Sequence, residues 1–141
     1  MKRRDALKVL GASAVAFSAL GAYDDTLIIN TKDIEIKDWD NLTDFEAKHL
    51  PEISIKDKDE KGFTLVEITV GQKNIIHPSE EKHWIYEIDL YADDKLVGKT
   101  SLEPMISRGF FSTRVDLQGV KKLTSTARCN LHGNFTCSVE L

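Results

Sequence analysis

Phe63-Thr64-Leu65-Val66-Glu67-Ile68-Thr69-Val70 decides the fold. The stretch is rich in β-branched residues, and apolar and polar side chains alternate over much of it, which is the signature of a half-buried strand. Working outward, Trp84 to Tyr91 repeats the pattern, and Phe110 to Leu117, Lys122 to Cys129 and Asn134 to Leu141 are three further strand candidates. Ile53-Ser54-Ile55 is a short one, and Thr26 to Ile36 has room for one or two more. Turn signals separate these runs: Gly71, His77-Pro78, Ala92-Asp93-Asp94, Gly109, Gly119 and Gly133. The one helical candidate is Asn41 to Lys48, with Asn41 or Thr43 as its cap and Pro51 closing off any extension. Six or seven short strands with this punctuation predict an all-β chain, an antiparallel sandwich or barrel with one short helix.

The chain has 141 residues, 41% hydrophobic and 30% charged, which suits one ordinary folded domain. Two cysteines exclude a disulfide-framework miniprotein and a four-cysteine metal site from one chain. Residues 1–22 carry Lys2, Arg3, Arg4 and Lys8 against Asp5, followed by an apolar run from Val9 to Ala22. That run is 14 residues, shorter than the ~20 a spanning helix needs. A basic head, an apolar middle and small residues at Ala19, Gly21 and Ala22 read as an export signal, cleaved after Gly21 or Ala22, leaving no stable membrane insertion. Within it Arg3-Arg4-Asp5-Ala6-Leu7-Lys8 resembles the twin-arginine signal, which implies a periplasmic or otherwise exported protein. The remaining 15 basic and 22 acidic side chains give residues 23–141 a net charge of −7. An acidic domain without a basic stripe argues against nucleic-acid binding.

All four histidines fall outside the predicted strands. His49 follows the short helix. His77 and His83 bracket the polar loop Pro78-Ser79-Glu80-Glu81-Lys82, and His132 lies three residues after Cys129 in Cys129-Asn130-Leu131-His132-Gly133. Loops of a sandwich gather at its two ends, so residues distant in sequence can meet there. Imidazole suits iron, copper, nickel and zinc, and a thiolate adds affinity for softer metals. A single loop histidine is usually a solvated side chain; four in turns, one of them in a Cys-x-x-His, point to a metal site. Cys137, inside the last strand candidate, reads as a buried small apolar residue, or as a disulfide partner that would take Cys129 from the metal.

These blocks together resemble the superoxide reductases, the desulfoferrodoxin and neelaredoxin family. Lys48-His49-Leu50-Pro51 is similar to that family's Lys-His-x-Pro, and Val70-Gly71 with His77-Pro78 to its Val-Gly-x5-His-Pro. His83 stands six residues after His77, as the family's second loop histidine does, and Cys129 to Gly133 is similar to its Cys-Asn-x-His-Gly. The resemblance spans residues 42–141 as an iron-binding domain, with 23–41 an extension before it. It implies an immunoglobulin-like β-sandwich and a mononuclear iron held by His49, His77, His83 and His132 in a plane, with Cys129 on the axis. It also implies Lys48 as the catalytic side chain at the open face, superoxide as substrate, and a homodimer or homotetramer. The electron donor would be rubredoxin-like or, for an exported protein, a periplasmic cytochrome. Many members carry glutamate directly before the lysine; here that residue is Ala47, with Glu46 one place back. One place on a helix turns a side chain by ~100°, so Glu46 is not read as a substitute. No four-cysteine N-terminal domain is present in this sequence, which resembles the one-iron form.

Superoxide needs one electron and two protons to become hydrogen peroxide, and an anionic substrate meets an acidic domain, so any attraction has to be local. Lys48 is placed to supply it; Lys82, beside His83, reads as an ordinary solvated lysine. The rival from another class is an exported blue-copper electron carrier, which also uses Cys-x-x-His near its end. That reading lacks the methionine a few residues later and leaves two histidines idle. A zinc-stabilised binding module ranks last, because five nitrogen and sulfur donors exceed the usual tetrahedral four.

Overall fold

Thr64–Val70 forms a strand in which every second residue is fully buried, as its alternation requires. The computed structural model describes residues 23–141, so the export-signal reading of residues 1–22 lies outside them. In chain order the elements are helix α1 (Asp44–His49), β1 (Pro51–Lys58), β2 (Thr64–Val70), β3 (Ile85–Ala92), β4 (Lys95–Ser101), β5 (Phe110–Val115), β6 (Lys122–Cys129) and β7 (Gly133–Glu140). They form two antiparallel sheets, β1-β2-β5 and β4-β3-β6-β7, an all-β sandwich. Val66, Ile68 and Val70 from one sheet and Ile88, Leu90, Leu123 and Ala127 from the other build the core between them. Each fully buried aliphatic side chain of this kind contributes about 1.5–3 kcal/mol relative to exposure.

The strand candidates are all found except that Thr26 to Ile36 holds none. That stretch contains a 3-10 turn at Asp25–Leu27 and one isolated parallel bridge, Asp33 to Asn134. β4 has no counterpart in the sequence pattern. It is an edge strand whose side chains are all exposed or half-buried, and Gly98 with the polar Lys95, Lys99, Thr100 and Ser101 erases the alternation. Turn chemistry creates it instead. Asp93 adopts φ 51°, Ala92 pairs with Lys95, and the Asp93 carboxylate accepts the N–H groups of Lys121 and Lys122, both at 3.1 Å.

The helix starts at Asp44, with Thr43 as its cap. Thr43 Oγ1 accepts the Glu46 N–H at 3.1 Å, and the Glu46 carboxylate accepts the Thr43 N–H at 2.9 Å, a reciprocal capping box. Beneath α1 a second apolar cluster joins Ile36, Leu50 and Phe135, with Ile34, Leu42 and Cys137 against it. This cluster fastens the segment before the helix onto β7. Among the described residues no helix is long and apolar enough to cross a membrane.

Register puts the ligand-bearing loops at one end. Pro51 pairs with Val70, so β1 begins where β2 stops. Cys129 pairs with Ile85 on one side and Gly133 on the other, so β3, β6 and β7 reach the same level.

Candidate metal centre

His49 is the last residue of α1, and its position is set from two directions. The loop leaving β2 satisfies the helix's free carbonyls: Gln72 N–H donates to Ala47 O at 2.7 Å, and Gly71 N–H to Leu50 O at 3.0 Å. The loop that carries His77 is thereby stitched to the turn that carries His49. Gly71 has φ +119°, and a Cβ there would collide with the backbone carbonyl of Ile75, so only glycine lets the chain leave β2 this way. His77 N–H returns to Val70 O at 3.2 Å, and Glu80 and His83 close the loop with a pair of backbone bonds at 2.8 and 3.2 Å. Cys129 ends β6. His132 occupies the hairpin turn before Gly133, whose φ of +95° and close approach to the Lys32 carbonyl again exclude a side chain.

The four imidazoles form a closed ring. Neighbouring centroids lie 4.7 Å apart for His49–His77 and His77–His83, 4.9 Å for His83–His132 and 4.8 Å for His132–His49. Adjacent planes are steeply inclined, 72° to 87°, while His49 and His83 face each other across the ring at 6.1 Å. Side-chain donor atoms of His49, His83, Cys129 and His132 all lie within 4.8 Å of one another. His77 falls outside that tighter group, yet it lies between His49 and His83 in the ring.

Hydrogen bonds decide which nitrogen each ring presents. His49 Nδ1 is 2.6 Å from Phe45 O and His77 Nδ1 is 2.7 Å from Pro78 O. A carbonyl only accepts, so both Nδ1 atoms carry the proton and both Nε2 atoms offer a lone pair. His77 Nε2 and His83 Nε2 are buried without any hydrogen-bond partner. A buried polar atom left so costs about 1–3 kcal/mol, and two of them in neighbouring rings suit a cation. His132 turns the other way, with Nδ1 3.0 Å from His49 Nε2 and 3.6 Å from Cys129 Sγ. Two nitrogens each about 2.1 Å from one ion and at a right angle are about 3.0 Å apart, so this spacing suits adjacent ligands. The candidate donors are thus the Nε2 atoms of His49, His77 and His83, His132 Nδ1 and the Cys129 sulfur, and residues of these types fit a mononuclear iron.

The surroundings favour uncharged imidazoles. Burial, with positive neighbours adding to it, drives His49 down to about 4 and His77 to about 3. His83 and His132 are lowered as well, by burial first and then, for His132, by the Lys48 charge. Burial raises the Cys129 thiol, while the backbone N–H groups of Leu131 and His132 pull it back down. These groups would hold a positive ion with neutral imidazoles and with Cys129 as a thiolate, its proton released. Lys48 is half-buried on the last turn of α1, and its charge acts on His49, His83 and His132 together.

Every site residue expected from the sequence is present at this end of the sandwich. All four imidazoles lie in one ring, whereas a two-histidine copper site would use only two of them. Ala47 is fully buried, and the Glu46 carboxylate is held by the capping box at the far end of the helix from His49, so neither residue offers a carboxylate to the ring. Lys82 is exposed and contributes its carbonyl to Asn130 rather than charge to a contact. Two contributors escaped the sequence reading. Phe45 packs on His49 at 4.5 Å and His132 at 5.0 Å, and its place four residues before His49 on a helix was the available signal. Phe135 stacks on His49 at 4.6 Å and meets Phe45 edge-on at 6.1 Å, and nothing local marks it.

The chain matches the desulfoferrodoxin family over residues 41–138. It is similar to the solved superoxide reductase (1Fe-SOR) from Giardia intestinalis, at 32% identity over 67% of this chain and 98% of that one, with a TM-score of 0.57. The superoxide reductase from Nanoarchaeum equitans gives 27% identity over 67% of this chain and 94% of that one, with a TM-score of 0.57. Among curated relatives, the desulfoferrodoxin of Nitratidesulfovibrio vulgaris is 34% identical over 90 residues, 64% of this chain and 61% of that one. Since the matched stretch runs from just before α1 into β7 and takes in all five converging side chains, the chain belongs to the desulfoferrodoxin family.

Proposed function

We propose that this protein is a one-iron superoxide reductase that reduces superoxide to hydrogen peroxide. The observation that carries the reading is the closed ring of four imidazoles, two with buried unpartnered Nε2 atoms, beside the Cys129 thiol. His49, His77, His83, His132 and Cys129 would hold the iron, which when bound would supply the single electron. The chain's own residues do the rest. Phe45 O and Pro78 O fix two ring orientations. The Leu131 and His132 N–H groups favour the thiolate. Lys48 attracts the anion against a domain of net charge −7 and orients the water that delivers a proton.

Mixing the reduced protein rapidly with superoxide tests this. One peroxide per electron without oxygen release is the expected result; oxygen release in dismutation stoichiometry, or copper in protein purified without added metal, overturns it. In the same experiment Lys48→Ala slows the bimolecular step by about tenfold. Added salt slows the wild type and affects the variant less, because exposed charges are screened over ~8–10 Å near physiological salt. Equal salt dependence of the two proteins removes Lys48 from the role.

We read residues 1–22 as a twin-arginine signal and the mature protein as periplasmic. A rubredoxin-like protein or a periplasmic cytochrome re-reduces the iron, and the functional unit is a homodimer or homotetramer. The support for the export route is the Arg3-Arg4 pair before a 14-residue apolar run; the donor and the oligomer rest on the family resemblance. Arg3→Lys combined with Arg4→Lys leaves the protein in the cytoplasm with its signal uncleaved. Normal processing of the double variant refutes that route.

A further inference from the structure

Asn130 lies between Cys129 and His132, is fully buried, and spends its carboxamide on backbone groups. Its Oδ1 accepts the Trp84 N–H at 2.9 Å, and its Nδ2 donates to Lys82 O at 2.9 Å. Those two partners are the residues on either side of His83. The second Nδ2 hydrogen goes to Leu27 O at 3.0 Å. Two carbonyls and one N–H leave no freedom to exchange the oxygen and nitrogen of the amide, so the orientation is fixed by chemistry.

The main chain of Asn130 continues the pattern. Its N–H donates to Trp84 O at 3.2 Å, and its carbonyl accepts Ile29 N–H at 2.9 Å and Asn30 N–H at 3.3 Å. Next along, Asn134 N–H donates to Lys32 O at 2.8 Å, its carbonyl accepts Ile34 N–H at 2.9 Å, and its Nδ2 reaches Thr31 O at 3.1 Å. Tyr23 packs on Trp84 and Tyr86, with centroids at 5.9 and 5.8 Å. Residues 23–34 therefore lie as a clasp along the hairpin that bears Cys129 and His132 and against the residue that follows His83.

We propose that Asn130 is a positioning residue: its side chain fixes His83 relative to the Cys129–His132 hairpin, with residues 27–34 as the clasp that holds it there. Three of the five donors then move as one body, and losing the carboxamide leaves His83 tied to the other two only through the Asn130 main chain and the Ile85–Cys129 pair. The inference rests on the iron-site reading above. Its physical basis is that buried polar networks act as units, and that partners beyond the direct ligands set ligand orientation and typically change metal affinity by about 10–100-fold.

The test uses the full-length, iron-loaded protein, and follows iron release to an excess of a strong chelator together with the electronic spectrum of the oxidised state. Asn130→Ala is compared with Ser125→Ala. The latter removes a buried hydrogen bond on β6, 2.7 Å from Ser125 Oγ to Asp89 O, in a residue not among the donors. The expected result is release at least about tenfold faster, with an altered spectrum, in Asn130→Ala, and release within about twofold of wild type in Ser125→Ala. If Asn130→Ala does not accumulate as folded protein, Asn130→Ser, which retains one short hydroxyl, is read in the same way. Wild-type release and an unchanged spectrum in the Asn130 variant overturn the proposal, as does equally fast release from a Ser125→Ala protein of matching thermal midpoint. Absence of iron from the wild-type protein overturns the iron-site reading itself, and the proposal with it.

Discussion

The oxidised iron protein loses its sulfur-to-iron charge-transfer absorption in Cys129→Ala and keeps it in Cys137→Ala. Cys129 is fully buried at the end of β6, and its Sγ stands 3.6 Å from His132 Nδ1. Backbone N–H groups of Leu131 and His132 are aimed at that sulfur, an arrangement that suits an anionic thiolate. Cys137 sits on β7 beside the second apolar cluster, where its sulfur receives Gln72 Nε2 at 3.5 Å. The two thiols are both free, so no disulfide competes for Cys129. Losses beyond the direct ligands already weaken metal binding by about 10–100-fold, so removal of the sulfur ligand itself exceeds that range. Visible absorption and iron content of the two variants measure this directly. Colour retained in Cys129→Ala and lost in Cys137→Ala reverses the ligand assignment.

Stripped of metal, the protein loses stability steeply as the pH falls from about 6.5 toward 4. The cause is burial of His49 and His77, which holds their folded-state values near 4 and 3 against an ordinary 6.5. Between those values the unfolded chain binds protons that the folded chain refuses, so unfolding is favoured as the pH falls. The contribution is fully restored above the unfolded value, and it stops growing only below the folded ones. At pH 5 each ring costs about 2 kcal/mol relative to neutral pH, about 4 kcal/mol for the pair. Against a total of about 5–15 kcal/mol that is a large share, and it lowers the thermal midpoint by about 15 °C. Bound iron competes with the protons for the same lone pairs and moves the acid limb to lower pH. Thermal melts with and without a chelator between pH 5 and 7.5 check both statements. A metal-free midpoint that is flat over that range contradicts the burial argument.

Local sequence determined the strands whose alternation survives in their own residues, above all Thr64–Val70, where each second side chain is buried. It determined the helix through the Thr43–Glu46 box and Pro51, and it marked His49, His77, His83, Cys129 and His132, because histidine in turns and Cys-x-x-His are features of the chain itself. What tertiary structure alone decided depends on distant partners. β4 exists because Asp93 turns the chain back onto β3 and binds the N–H groups of Lys121 and Lys122, although its own residues do not alternate. The Thr26 to Ile36 stretch looks like a strand, but it lies as a clasp whose hydrogen bonds go to Asn130 and Asn134, about a hundred residues later. The ring nitrogen that each imidazole presents was equally out of reach of the sequence. A carbonyl from Phe45 or Pro78 chooses the tautomer, and the common level of five strand ends brings four rings within 5 Å of their neighbours. Residue type is a local property, whereas protonation pattern and convergence are set by which backbone groups the fold carries to the same place.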